Sequence, residues 1–191
     1  MQLLGLCPRP VFDTIGGWIH QEWPSESSAY GRSGAAAVAD EFWESTYRPF
    51  TQQGLDTAVA RPIVTLPVTL VARRGRDGQV VGTVSLVKED MVGRDEELGP
   101  WLAALFVPPE ARGSGAGTLL VNAAAALARR MAKQSPGLGS PLRQLHLWFP
   151  TSKPHLRAFY EANGWITTEP KAKYESSSFG GEVTIMRLSE L

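Results

Sequence analysis

The chain has one cysteine, Cys7, and no net charge: 19 Lys and Arg balance 19 Asp and Glu over 191 residues. A lone thiol closes no internal disulfide, so the core must hold the fold, and a reducing, cytoplasmic setting is the expectation. Without net charge there is no whole-molecule field to gather nucleic acid or an anionic membrane surface. Long apolar runs are missing as well. No stretch approaches the ~20 apolar residues of a membrane span. Met1 to Cys7 is apolar but lacks the basic start and the length of a secretion signal. No Ser-His-Asp or Cys-His arrangement offers a covalent nucleophile, and no metal ligand set is expected. What remains is ordinary for a globular protein, 43% hydrophobic and 20% charged, enough for one domain over residues 1–191 with a sizeable core.

The most telling stretch that is present runs Leu105-Phe106-Val107-Pro108-Pro109-Glu110-Ala111-Arg112-Gly113-Ser114-Gly115-Ala116-Gly117-Thr118. An apolar strand enters a glycine-punctuated turn with one arginine, and a helical pattern starts where the turn ends. Unsatisfied N–H groups and the helix dipole favour an anion at such a point, and glycines let it approach the backbone. A nucleoside-triphosphate loop needs a lysine after the last glycine. Here none follows before Lys133. A dinucleotide fold needs G-x-G-x-x-G and a carboxylate about 20 positions on. Gly113, Gly115 and Gly117 alternate instead, and the residues near 137 are Ser, Pro and Gly. A flexible surface loop is the bland alternative, but it leaves the placement between strand and helix unexplained.

Along the rest of the chain, Asp13 to Trp23 reads as a helix capped by Asp13, and Pro24 to Gly34 as a loop. Ala35 to Gln53 is a second helical region whose Phe42, Trp43, Tyr47 and Phe50 form a core-facing stripe. Pro62 and Pro67 mark a linker, and residues 1–66 together form a helical region. Val68 to Arg73 and Val80 to Lys88 are strands joined at Asp77-Gly78. Lys88 to Gly99 is a polar loop with five carboxylates. Trp101 to Val107 is a central strand. The helix from about Gly115 to Gln134 buries Leu119, Leu120, Ala123, Ala124, Leu127 and Met131. Ser135 to Pro141 is a loop. Gln144 to Phe149 is a strand, and Pro154 opens a short helix ended by Gly164. Strands at Trp165–Glu169 and Val183–Leu188 close the chain, with a polar loop between them. Helices precede and interrupt the strands without regular alternation, so the fold class expected is mixed α+β.

Arg112-x-x-Gly115-x-Gly117 resembles the acetyl-CoA pyrophosphate loop of the GNAT N-acetyltransferase superfamily. Phe159-Tyr160-Glu161-x-x-Gly164-Trp165, some 40 residues on, resembles the family's second signature, A-x-x-F-Y-x-x-x-G-F. Both fall within residues 98–165. The resemblance implies a mostly antiparallel mixed sheet with splayed middle strands, flanked by about four helices, and acetyl-CoA as cosubstrate. It implies that Leu105, Phe106 and Val107 offer main-chain groups to the pantetheine arm. Arg112, Gly113, Ser114, Gly115, Ala116, Gly117 and Thr118 would hold the pyrophosphate. Lys153 stands where the family often has a CoA-contacting asparagine; it would meet a CoA phosphate or simply face solvent.

Acetyl transfer needs a polarised thioester carbonyl, a neutral amine and a proton for the leaving thiolate. Val107 N–H is the candidate for the first. Tyr160 matches the family's general acid, and a phenol is protonated at neutral pH. The base is least clear. The equivalent position on the later middle strand is near Trp148, which accepts no proton. Glu97 is then the candidate, directly or through water, with Asp90 and His146 as alternatives, His146 reading better as a solvated strand-face residue. Acceptor contacts would come from Trp18, His20, Glu22, Trp23, Tyr174 and Phe179, each equally readable as packing. The segment from Leu66 to Ala72 with Pro100–Ala103 loosely resembles a branch that contains the actin N-terminal acetyltransferase. Actin's acidic terminus wants a basic groove, and the carboxylates here argue against that substrate. Two functions stand: an N-acetyltransferase acting on a small amine or a peptide N-terminus, or a catalytically silent acyl-CoA-binding module. Neither involves nucleic acid or a membrane.

Overall fold

The first helix, α1 (Arg9–Glu22), starts a turn earlier than the sequence suggested. Pro10 lies in the first turn, where its missing N–H breaks no helical bond, and Pro8 provides the extended entry. Asp13 is therefore not the cap; it lies inside the helix and accepts from Arg9 Nε at 3.0 Å. Val11, Phe12, Ile15 and Ile19 form the buried stripe. Gly16 sits within that stripe for reasons of space. A Cβ there would stand 2.7 Å from Ala35 O and from the Cβ and N of Ala39, so α1 meets α2 (Ala35–Phe42) nearly backbone to backbone. Arg9 also pairs with Asp40 across this contact.

The structure, a computed structural model, describes residues 2–3, 7–23, 34–42, 66–75, 78–134, 143–176 and 179–191. The expected loop from Pro24, the linker at Pro62, the loop at Ser135 and Asp77 of the hairpin lie outside these residues. So do Trp43, Tyr47, Phe50 and the side chain of Phe42.

The chain forms two compact units, Met1–Ser85 with Ala104–Leu120, and Leu86–Ala103 with Val121–Leu191. In the first, β2 (Val68–Arg73) and β3 (Val80–Val87) lie where the sequence places them, and Arg74 N–H donates to Gln79 O across the hairpin at 3.1 Å. Buried polar groups are satisfied between these strands: Thr69 and Ser85 hydroxyls meet at 2.8 Å, and Thr83 Oγ1 donates to Leu70 O. A short strand absent from the sequence reading, β1 (Gln2–Leu3), pairs antiparallel with β2 through Gln2↔Val71 and Leu3↔Leu70. Two residues are too few to show a period of two.

In the second unit β5 (His146–Pro150) runs parallel to β4 (Trp101–Phe106) at Trp101↔His146 and antiparallel to β7 (Gly180–Leu188) along its whole length. Beyond that one parallel pair, Leu147 to Pro150 are in register with β7 alone among the described residues. The expected polar loop after Glu169 is instead strand: β6 runs Trp165–Glu175 and pairs with β7. Pro170 is accommodated because β6 has one partner, and its register shifts between Glu169 and Ala172. The Lys88–Gly99 loop contains one short helical turn, α3 (Asp95–Leu98).

Helix α4 (Ala116–Gln134) has the expected span and a rotated face. Its buried residues are Ala116, Leu120, Val121, Ala124, Ala125, Ala128 and Met131, whereas Leu119 is 53% exposed. The small Ala side chains turn inward because they allow close packing, and the bulkier Leu119 is left outside. The last helix is α5 (Pro154–Glu161), with Gly164 at φ +83° three residues after it.

Candidate active site

The glycine turn lies in the first unit. After β4 the chain makes one 3₁₀ turn, Pro109–Ala111, and then passes through Gly113 at φ +73° and Gly115 at φ +82° into α4. Both glycines need the left-handed conformation, yet a Cβ at either would touch nothing within 4 Å. Conformation therefore selects glycine at both positions. The backbone N–H groups from Gly113 to Thr118 donate to no acceptor among the described residues; intramolecular bonding resumes at Leu119 N–H, which reaches Gly115 O at 3.0 Å. Arg112, Gly113, Ser114, Gly115 and Thr118 are exposed, Gly117 is half-buried and Ala116 is buried. Arg112 Nε donates to Val107 O at 3.0 Å, and Ser114 Oγ donates back to Ala111 O. Six adjacent unpaired donors at the start of a 19-residue helix suit a diphosphate.

Upstream, Ala104 adopts φ +50°, the one non-glycine with positive φ among the described residues. Such a conformation costs about 1–2 kcal/mol in an L residue. It turns the peptide groups of β4 just before Leu105, Phe106 and Val107, the residues expected to meet the pantetheine arm. Alanine gives no sequence signal for this.

Tyr160, in the second unit, is 7% exposed. Its ring stacks on Phe149 at 5.8 Å and meets Phe159 and Trp165 edge-on at 5.1 and 6.1 Å. Burial raises the phenol above its ordinary value, so it keeps its proton at neutral pH. The hydroxyl has no hydrogen-bond partner among the described residues. Lys153 is exposed at the entry to α5.

The carboxylates of the 88–99 loop differ in use. Asp95 Oδ1 accepts from the N–H groups of Asp90 and Met91 and from Trp101 Nε1, each at 2.8 Å. Glu97, on α3, accepts from Arg94 Nε at 3.0 Å and is 68% exposed. The same Arg94 grips Glu169 through two nitrogens at 3.3 and 2.7 Å. Asp90 Oδ2 accepts from Trp148 Nε1 at 2.8 Å. His146 is a correction: it is 3% exposed, not a solvated strand-face residue. Its Nδ1 lies 2.6 Å from Leu98 O, its ring packs 5.9 Å from Trp101, and burial lowers its pKa.

Of the acceptor candidates, Trp18 and Trp23 pack on Phe106 at 5.4 and 6.5 Å within the first unit's core. His20 is half-buried, with Nδ1 unpartnered among the described residues, and Glu22 is exposed. Tyr174 and Phe179 come together in the second unit around Trp148, with centroids 5.2 and 5.5 Å from it. The sequence reading set Trp148 aside for want of a basic atom. Its place opposite the Leu147 and Phe149 face was the available signal. Phe179 also borders an open groove of about 470 Å³ in which Lys171 and Glu182 balance in charge.

In backbone course the chain matches solved structures that share little of its sequence. Over 98% of this chain and 92% of the other, it superposes on a spermidine N-acetyltransferase SpeG variant from Vibrio cholerae with a TM-score of 0.59 and 15% identity. A ribosomal-protein-alanine N-acetyltransferase from Brucella melitensis matches over 95% of each chain, with TM-score 0.57 and 15% identity. At such identities the likeness is one of fold. No curated protein matches the chain. The family described as the acetyltransferase (GNAT) domain matches residues 67–167, just over half the chain and the stretch that includes both signatures. The chain belongs to the GNAT acetyltransferase family.

Proposed function

We propose that the chain, acting over residues 1–191 as one domain, is an acetyl-CoA-dependent N-acetyltransferase that transfers acetyl directly to a primary amine. The observation that carries this reading is the run of unpaired N–H groups from Gly113 to Thr118 at the head of α4. It has the length and sign to hold a diphosphate. Arg112 adds a cation at the rim, and Lys153 a second one for the CoA phosphates. Leu105, Phe106 and Val107 offer main-chain groups to the pantetheine arm.

In the reaction the amine nitrogen attacks the thioester carbon, and Val107 N–H stabilises the charge that builds on its oxygen. The C–S bond breaks and the sulfur takes the proton that burial keeps on Tyr160. The acceptor's surplus proton leaves to Glu97, directly or through water. Glu97→Gln is expected to shift the pH dependence of turnover, and an unchanged profile removes Glu97 from the scheme. No covalent intermediate is needed. The structural relatives' names, for spermidine and for a ribosomal-protein alanine, support an amine acceptor of either a small-molecule or a peptide kind. A cytoplasmic site suits the lone, buried Cys7.

The test is thiol release from acetyl-CoA across polyamines, amino acids, aminoglycoside antibiotics and N-terminal peptides. Release that depends on one of these acceptors supports the transferase. Thermal stabilisation by acetyl-CoA with no release on any acceptor supports a silent acyl-CoA-binding module instead.

A further inference from the structure

Trp148 lies on the face of β5 opposite Phe149 and Tyr160, with Ile185 directly across from it on β7. Leu147 and Phe149 are 1% and 4% exposed, whereas Trp148 is half-buried. The ring is nonetheless fixed. Its Nε1–H donates to Asp90 Oδ2 at 2.8 Å and lies 3.3 Å from Asp90 O. Tyr174 and Phe179 stand against it and lie 6.1 Å from one another. Tyr174 is fixed in turn, its phenol oxygen accepting from Val92 N–H at 3.4 Å. Gly181, opposite Tyr174 in the β6–β7 register, adds no side chain there. An aromatic wall with a carboxylate at its edge results, formed wholly within the second unit.

The loop that carries Asp90 is net acidic. Residues 88–97 carry five carboxylates against Lys88 and Arg94. Arg94 is taken up by Glu97 and Glu169, and Asp95 by its own loop and Trp101. Glu89 and Glu96 remain exposed. A tryptophan face beside a carboxylate favours a cation. A simple ammonium cannot use that preference and still react, because the attacking nitrogen must be neutral. Recognition by charge and attack by a free amine require two nitrogens.

We propose that Trp148, positioned by Asp90, is the acceptor-recognition residue, and that the acceptor is a diamine or polyamine whose second, protonated nitrogen rests on this wall. The proposal rests on the transferase reading and narrows it to one acceptor class. Its test compares butane-1,4-diamine with pentylamine, which replaces the second amino group by a methyl. Thiol release from acetyl-CoA is followed with each, and the diamine is expected to have a kcat/KM about tenfold higher. Trp148→Leu should bring the two values together, Trp148→Phe should leave an intermediate ratio, and Asp90→Asn, which can still accept from the indole, should narrow it by removing charge alone. Thermal melts confirm that each variant is folded, and loss of packing alone would not change the ratio. Equal kcat/KM in the wild type, or a ratio that survives both Trp148→Leu and Asp90→Asn, overturns the assignment. Calorimetric binding of the diamine that Trp148→Leu weakens, without thiol release, supports the wall and overturns the transferase. Thiol release with no preference for the second nitrogen does the reverse.

Discussion

At Gly113–Thr118 the groups offered to a ligand are peptide N–H, set by two positive-φ glycines and a helix start. At Trp148 they are an indole face and a carboxylate brought together from residues 58 positions apart. The first arrangement is local and depends on backbone conformation. The second is tertiary and depends on side chains locking one another. Tyr160 belongs with the second: its proton is held by rings from β5, α5 and β6. The contrast implies different failure modes. A turn made of main chain should tolerate loss of side chains and be sensitive to added ones. A site made of side chains should behave oppositely.

The largest effect expected is on the side-chain half. Tyr160→Phe removes one oxygen and keeps the ring that packs on Phe149. Turnover should fall about a hundredfold, the range of a lost general acid, with acetyl-CoA affinity little changed. Steady-state kinetics and the thermal midpoint together check this. Unaltered kcat would reduce Tyr160 to a packing residue.

Next comes the main-chain half. Gly115→Val forces a β-branched residue to φ +82° where nothing crowds it. The turn should leave its conformation at a cost of about 2 kcal/mol, and acetyl-CoA affinity should weaken roughly thirtyfold by that measure. Ser114→Ala is the matched control. It deletes a hydroxyl bonded to Ala111 O but keeps the N–H, and affinity should stay within about threefold. If the serine change weakens binding as much as the valine does, the turn is not a main-chain site.

The same contrast explains what could be read in advance. The turn and α5 with its terminal Gly164 were legible because glycine position and helix boundaries are local properties. β5 was legible for a similar reason, through its alternating apolar residues, and β2 and β3 as short apolar runs bounded by turn residues, buried along nearly their whole length. Ala104 was not, because an alanine in the left-handed region is imposed by the strands around it. The face of α4 was misread by one residue because Leu119 and Leu120 look alike until packing chooses. The extension of β6 through Pro170 was hidden by the proline, which only an edge position admits. His146 was misplaced because its partner, Leu98 O, lies 48 residues away and is invisible to alternation. The Trp148–Asp90 pair failed to show for the same physical reason.

The smallest effect concerns the frame of the wall. Arg94 joins the loop that carries Asp90 to β6 through Glu169, so this side is braced by charge, where the glycine turn is braced by backbone. The Arg94 guanidinium holds the Glu169 carboxyl below its ordinary value, against the opposing pull of partial burial. The pair's contribution is then complete above the unfolded glutamate value of roughly 4.3. It is lost as pH falls through the lower folded-state value, because the folded form is the one that resists protonation. Glu169 is 39% exposed, so solvent screens the pair, and Glu169→Gln should cost about 0.5 kcal/mol at pH 7. Chemical denaturation of both proteins at pH 7 and pH 3 checks the sign: the gap in stability should close in acid. A gap of equal size at both pH values would mean that Glu169 braces the wall by packing, and the charge-built half of the comparison would shrink to Asp90 alone.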